Sequence, residues 1–171
     1  KYMEEKQINC EERFLKNQWV FWIRENCNNN WTIESYRKLI TIDSIEKAVS
    51  FYDLLNDKIL NHYMIFIMKS GITPLWEDPL NINGGCFSIK ISNKNITEIW
   101  KTLSYYLYSE TIFHNNLSTI VNGITLSPKK NFFIIKIWLN TSEYTNPKII
   151  TNIKNIPKEG CFFKKHQIEH L

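Results

Sequence analysis

The sequence predicts an α+β fold, an antiparallel sheet with three helices packed on one of its faces. Two observations carry this. Segments with the two-residue period of strands and the 3.6-residue period of helices run strand, strand, helix, three times over, and one strand closes the chain. Each helical segment also has a single apolar stripe, so hairpin-paired strands and one-sided helices are most economically arranged with every helix on the same face. The opposite face and its rim loops are left for a ligand.

Residues 1–17 are mostly polar and lack a sustained apolar period, which predicts a flexible N-terminal tail followed by a single domain over 18–171. Residues 18–24 (QWVFWIR) form an aromatic run typical of a buried strand. An Asn-rich stretch over 26–30 predicts a mobile loop that ends at Trp31, and a second strand follows at 36–42. Asp43 with Glu46 three residues later has the form of a capping box. Ile45, Ala48, Val49 and Tyr52 then recur at helical spacing to about residue 56. The second round has strands at 62–69 and 86–91 and a helix opened by Asn95 and Glu98, with Ile96, Ile99, Trp100, Leu103 and Leu107 as its stripe. The third has strands at 117–126 and 132–139, a helix over about 142–155, and a last strand at 161–165.

Composition narrows the function. The 171 residues suffice for one buried core without metal or disulfide staples, and 43% hydrophobic content excludes a disordered chain. Six tryptophans are more than one core needs and offer flat platforms for a cation or nucleobase. The net charge of +4 is scattered among acids rather than massed in the stripe of a duplex binder, which suits a short anionic ligand. Cys10, Cys27, Cys86 and Cys161 include no CxxC pair, so reduced thiols in a cytoplasmic protein are expected. No run approaches the roughly 18 apolar residues of a membrane span, and no signal-peptide core follows the charged start, so a soluble protein is expected. The sequence begins at Lys1 rather than at a methionine, and a trimmed chain is the expectation.

Catalysis is not expected. Only Glu77 and Asp78 stand together as carboxylates, and the GxSxG, HExxH, P-loop and GxGxxG motifs are absent. His166 and His170 lie four residues apart near Cys161, but at the chain end and off any expected helix, so neither a metal site nor a cofactor is expected.

The loop between the strands at 62–69 and 86–91 reads GITPLWEDP over 71–79, then Asn83-Gly84-Gly85, its prolines and glycines fixing its shape. Alone, a tryptophan beside an acid is either a loop anchor next to a solvated charge or a binding platform. GITPLWEDP with NGG downstream resembles the cap-binding loop of the eukaryotic translation initiation factor 4E family, whose pattern is close to G-I-x-P-M-W-E-D. The likeness continues at WVFWI (Trp19, Trp22), at Trp31, over 43–52, over 96–103 and at IKIW up to Trp138, and covers about residues 19–166.

What the resemblance implies is specific. The fold would be a curved antiparallel sheet of about eight strands with three helices on its convex face and the ligand on its concave face. The function would be binding the 7-methylguanosine cap of messenger RNA for translation initiation. N7-methylated guanine is cationic, and it would stack between Trp31 and Trp76. Glu77 would accept from the N1 and N2 hydrogens of the base, a pairing that adenine lacks. Asp78 reads as structural. Trp138 corresponds to the tryptophan near the methyl group, although a strand-end tryptophan is often simply core. Gap-free counting back from Trp138 puts Lys129 on the family's phosphate-binding arginine, with Lys130 beside it. The second phosphate-binding lysine falls on Ile134 and a further arginine on Cys86. Lys164 and Lys165 are either compensating phosphate contacts or a solvated strand end. The partners implied are capped messenger RNA and a scaffold of the initiation factor 4G type, with no membrane. In that scaffold's dock the usual tryptophan falls on Val49 and the usual glutamate on Thr102, which leaves Ile45, Val49 and Tyr105 as a diverged apolar patch. A cap-binding repressor, a cap-processing hydrolase and a lectin-like module are the alternatives.

Overall fold

The computed structural model of the protein describes residues 12–92 and 95–167. In chain order the elements are β1 (Phe14–Glu25), β2 (Arg37–Ser44), α1 (Ile45–Leu54), α2 (Asp57–His62) and β3 (Tyr63–Lys69). There follow β4 (Gly85–Ser92), α3 (Ile96–Tyr108), β5 (Val121–Pro128), β6 (Phe132–Leu139) and β7 (Phe162–Lys165). These seven strands form one curved, fully antiparallel sheet in the order β2-β1-β3-β5-β6-β4-β7. The pairing register shifts twice between β1 and β2 and once, at a one-residue bulge in β5, between β5 and β6, and such bulges bend strands and add curvature.

Strand alternation sorts the side chains into two layers. On the helical face, Trp19, Phe21 and Ile23 of β1, Ile65 and Ile67 of β3, and Phe133, Ile135 and Ile137 of β6 pack into the main core. They meet Ala48 and Tyr52 of α1, Leu60 of α2, and Ile99, Trp100 and Leu103 of α3. The other face has a smaller apolar cluster of Tyr36, Met64, Phe66, Met68, Ile72, Cys86 and Trp138. The concave surface therefore has an apolar floor of its own.

Some expectations need correction. Residues 142–155 are not an α-helix. Pro147–Ile149 make one 3-10 turn, Ile150 bridges to Phe113, and Ile150, Ile153 and Ile156 reach the core from an irregular backbone. The apolar spacing was real, but Pro147, Pro157 and the β-branched run between them disfavour a helix. The third helix is instead α2, capped by the Asn56 side chain, which accepts from the Ile59 amide at 3.2 Å. The expected tail ends sooner than residue 17. Phe14 pairs with Ser44, and Arg13 pairs with Glu46 at 2.9 Å, so the first strand starts within that stretch. The cap of α1 is Ser44, accepting from the Lys47 amide at 3.3 Å, while Asp43 pairs with Lys47 at 2.7 Å.

The topology also departs from a simple succession of hairpins. β3 and β4 are not neighbours, because the β5–β6 hairpin lies between them. At about 4.8 Å per strand spacing, the connection over 70–84 spans about 14 Å across the sheet end. That crossover is the GITPLWEDP loop. Among the described residues no helix is long and apolar enough to cross a membrane.

Candidate functional site

Under the crossover loop, the concave face encloses a pocket of about 320 Å³. Trp31, Tyr36, Phe66, Trp76 and Trp138 supply aromatic surface. Glu77 is the carboxylate in its lining, and Lys136, Lys164 and Lys165 are the cations. Trp31 is 56% and Trp76 45% exposed, so each presents a large aromatic surface at the pocket.

The crossover loop is braced from within. Asp78 accepts from the Thr73 amide at 2.8 Å, the Thr73 hydroxyl at 2.6 Å and the Leu80 amide at 2.9 Å. Burial opposes its ionisation, but these bonds outweigh it and lower its pKa. Buried Asn81 donates to Thr73 O and Leu75 O, at 3.1 and 2.7 Å. Asn122, at the β5 bulge, donates to Leu80 O at 2.7 Å and Asn81 Oδ1 at 2.8 Å, which fastens the loop to the sheet. Gly84 ends the loop against β6, where a Cβ would lie 1.8 Å from Leu139 O. Trp76 and Glu77 are thus presented from a rigid turn.

Trp31 comes from the other side, on the loop between β1 and β2. The Asn28 side chain accepts from the Asn30 amide at 2.8 Å, and the Asn30 side chain from the Thr32 amide at 3.0 Å. Below that loop, Tyr36 packs edge-on against Phe66 at 5.1 Å, and burial pushes its hydroxyl pKa up to about 12.

The far wall follows from strand register. Trp138 of β6 lies opposite Cys86 of β4, and Cys86 opposite Lys164 of β7, so all three share the concave face. Trp138 donates from Nε1 to Thr125 Oγ1 at 2.7 Å and carries the His166 ring 4.7 Å away, tilted 39°. Burial, with Lys136 nearby, lowers the His166 pKa to about 4 and keeps the ring neutral. Burial likewise raises the Cys86 thiol, against the opposing pull of Lys136.

The pocket thus gathers Trp31, Trp76, Glu77, Trp138, Lys164 and Lys165 from the sequence-derived set. Lys129 and Lys130 are exposed in the turn between β5 and β6 and are not part of its lining. Lys136 and Tyr36 line it without having been singled out. Lys136 was findable, because it precedes Trp138 by two and a strand puts both on one face. His170 lies outside the described residues. Among the described residues no cluster of three or more His, Cys, Asp or Glu could hold a metal ion. Chemically, flat aromatic walls, one carboxylate and three cations suit a planar base with edge hydrogens and an anionic tail.

The family model for Eukaryotic initiation factor 4E matches residues 14–170. The chain belongs to the eukaryotic initiation factor 4E family. An initiation factor 4E homolog of Acanthamoeba polyphaga mimivirus is 29% identical over 138 residues, covering 66% of this chain and 50% of that relative. Initiation factor 4E-1A of Danio rerio is 26% identical over 165 residues, covering 91% of this chain and 75% of that one. The chain spans 50% of the mimivirus relative and 57% of initiation factor 4E-2 of Schizosaccharomyces pombe. Among solved structures, Schistosome eIF4E complexed with m7GpppG and 4E-BP superposes with a TM-score of 0.70 at 21% identity, covering 78% of this chain and 75% of that chain. C. elegans eIF4E-3 with the 4E-binding protein Mextli and cap analog gives 0.68 at 20% identity, covering 76% of this chain and 75% of that chain. These likenesses establish that the sheet and helices have the initiation factor 4E fold.

Proposed function

We propose that the chain binds the 7-methylguanosine cap of messenger RNA in the cytoplasm, as a non-catalytic step of translation initiation, with a scaffold of the initiation factor 4G type as its protein partner. The observation that carries this reading is the pocket itself, which Trp31, Trp76 and Trp138 line together with one carboxylate, Glu77. Membership of a family whose solved relatives include cap complexes supports it. Trp31 and Trp76 take the two faces of the cationic base, each worth roughly 1–3 kcal/mol. Glu77 accepts from its N1 and N2 hydrogens. Trp138 lies beside the methyl group.

The phosphate contacts shift relative to the family pattern. Ile134 and Cys86 lack a cation for phosphate, and Lys136 stands two residues along β6 from Ile134 and two from Trp138, the partner of Cys86, opposite Ser88 and Thr125 on the same face. Lys136, Lys164 and Lys165 take the phosphates next to the ribose. Lys129 and Lys130, at the hairpin turn, add attraction at longer range.

The test is quenching of tryptophan fluorescence by methylated cap dinucleotide and by its unmethylated counterpart. Binding at least about tenfold tighter for the methylated form is expected from the cation–π contribution. Equal affinities would overturn the reading. Lys136→Ala should weaken cap triphosphate more than methylated guanosine monophosphate and flatten the salt dependence, whereas an unchanged salt slope would move the phosphates away from Lys136.

A further inference from the structure

Arg24 closes β1 on the concave face, and its guanidinium is buried, with 1% of the residue exposed. A buried cation ordinarily has a carboxylate partner. The ion pairs among the described residues, Arg13–Glu46, Lys16–Glu110 and Lys47–Asp43, do not include Arg24. Its charge is met by main-chain oxygens and aromatic faces instead. Nε and Nη2 donate to Asn30 O at 3.2 and 2.8 Å, Nη2 also to Asn28 O, and Nε to Ser35 Oγ at 3.2 Å. These acceptors flank Trp31 on both sides. The guanidinium carbon lies 3.7 Å from the centre of the Trp31 ring and 5.7 Å from that of Tyr36.

We infer that Arg24 is the positioning residue for Trp31. The planar fork fixes the loop by its carbonyls, and the same plane supports the indole from one side. A ring face with a guanidinium 3.7 Å away has no room for a base, so any stacked ligand takes the opposite face. Arg24 is not part of the pocket lining, which agrees with that division. The platform is therefore in place before ligand arrives, and binding does not have to order it. The arrangement also sets a limit. Two cations on opposite faces of one indole draw on the same π density, so Trp31 discriminates the methylated base less than Trp76 does.

The proposal rests on the cap-binding reading for its affinity consequences, and the experiment separates the two. The protein is labelled with 5-fluorotryptophan, and the Trp31 fluorine resonance is assigned by its loss in Trp31→Phe. In the ligand-free state, Arg24→Lys, which keeps a charge but loses the fork, should move that resonance. Arg24→Gln serves the same purpose if the lysine variant fails to fold. A Trp31 resonance unchanged in a folded Arg24 variant overturns the proposal whether or not cap binds. The second arm is titration with methylated cap dinucleotide. Arg24→Lys should weaken binding about fivefold in the parent protein, and less than about twofold when Trp31 is already alanine. Equal losses in the two backgrounds would make Arg24 a general structural residue and overturn the proposal. Failure of the parent protein to bind methylated cap would instead overturn the cap-binding reading and leave the fluorine result to decide the contact.

Discussion

Adjacent carboxylates in one loop have been given opposite tasks. Glu77 lines the pocket, whereas Asp78 uses its acceptor capacity on Thr73 and Leu80. Glu77→Ala should therefore weaken cap binding by about 1–3 kcal/mol and leave the melting temperature in place. Asp78→Ala should lower the melting temperature first. Fluorescence titration beside thermal melts of both variants checks this, and the reverse pattern would exchange the roles. His166 gives a prediction in pH. Its folded pKa is about 4 against 6.5 when exposed, so unfolding takes up a proton at intermediate pH. The contribution of the neutral ring is complete above about pH 6.5 and is lost progressively as pH falls towards 4. Asp78, Glu34, Glu46 and Glu110, whose pKa values are lowered from 3.8 or 4.5, act mainly below that window. Urea unfolding at pH 7 and pH 5 should show a drop in stability that shrinks in His166→Gln. An equal drop in both proteins would contradict the burial argument.

The crossover loop was legible in the sequence because its chemistry is local. Prolines and glycines in fixed order state the turn, while the Trp-Glu pair alone left anchor and platform open and took its ligand reading from the family resemblance. Its fastening to the sheet was not legible, since Asn81 and Asn122 are separated by 41 residues and read individually as an ordinary loop residue and an ordinary strand residue. Arg24 was hidden for a similar reason, as a cation at a strand end normally faces water. Strand periods located nearly the whole sheet, but periodicity could not say that the β5–β6 hairpin would lie between β3 and β4. The misassigned helix shows the converse limit, where Ile150, Ile153 and Ile156 have the spacing of a buried stripe on a backbone that two prolines keep out of the helix. Asn122→Ala removes both bonds from β5 into the loop and should cost about 1–3 kcal/mol in urea unfolding, with a further loss of cap affinity. Gly84→Ala should be at least as damaging, since its methyl meets Leu139 O. A loop that tolerates both changes would not depend on the sheet for its shape.

Across the whole domain, the ligand face and the helical face are separate surfaces. On the helical side, Ile45 is 39% and Val49 46% exposed, while Tyr105 is half-buried and packs edge-on against Tyr52 at 5.6 Å. With neither a tryptophan at Val49 nor an acid at Thr102, a peptide with the family's Tyr-x-x-x-x-Leu-apolar motif should bind weakly, by about 2 kcal/mol or more relative to a dock with its aromatic anchor. Calorimetric titration measures this, and full affinity would show that other contacts replace the anchor. The position of the β5–β6 hairpin has a consequence in time. β3 can pair with β1 at once, but β4 has no strand partner until residues 132–139 are available, and the pocket wall is complete only when His166 has joined Gly84 and Trp138. During synthesis, a nascent chain that has not yet reached residues 132–166 would carry Trp31, Trp76 and Glu77 without the wall formed by Lys136, Trp138, Lys164 and His166. A ligand that needs the complete wall would therefore favour chains in which that wall has formed, adding RT ln(1 + [L]/Kd) to their stability alone.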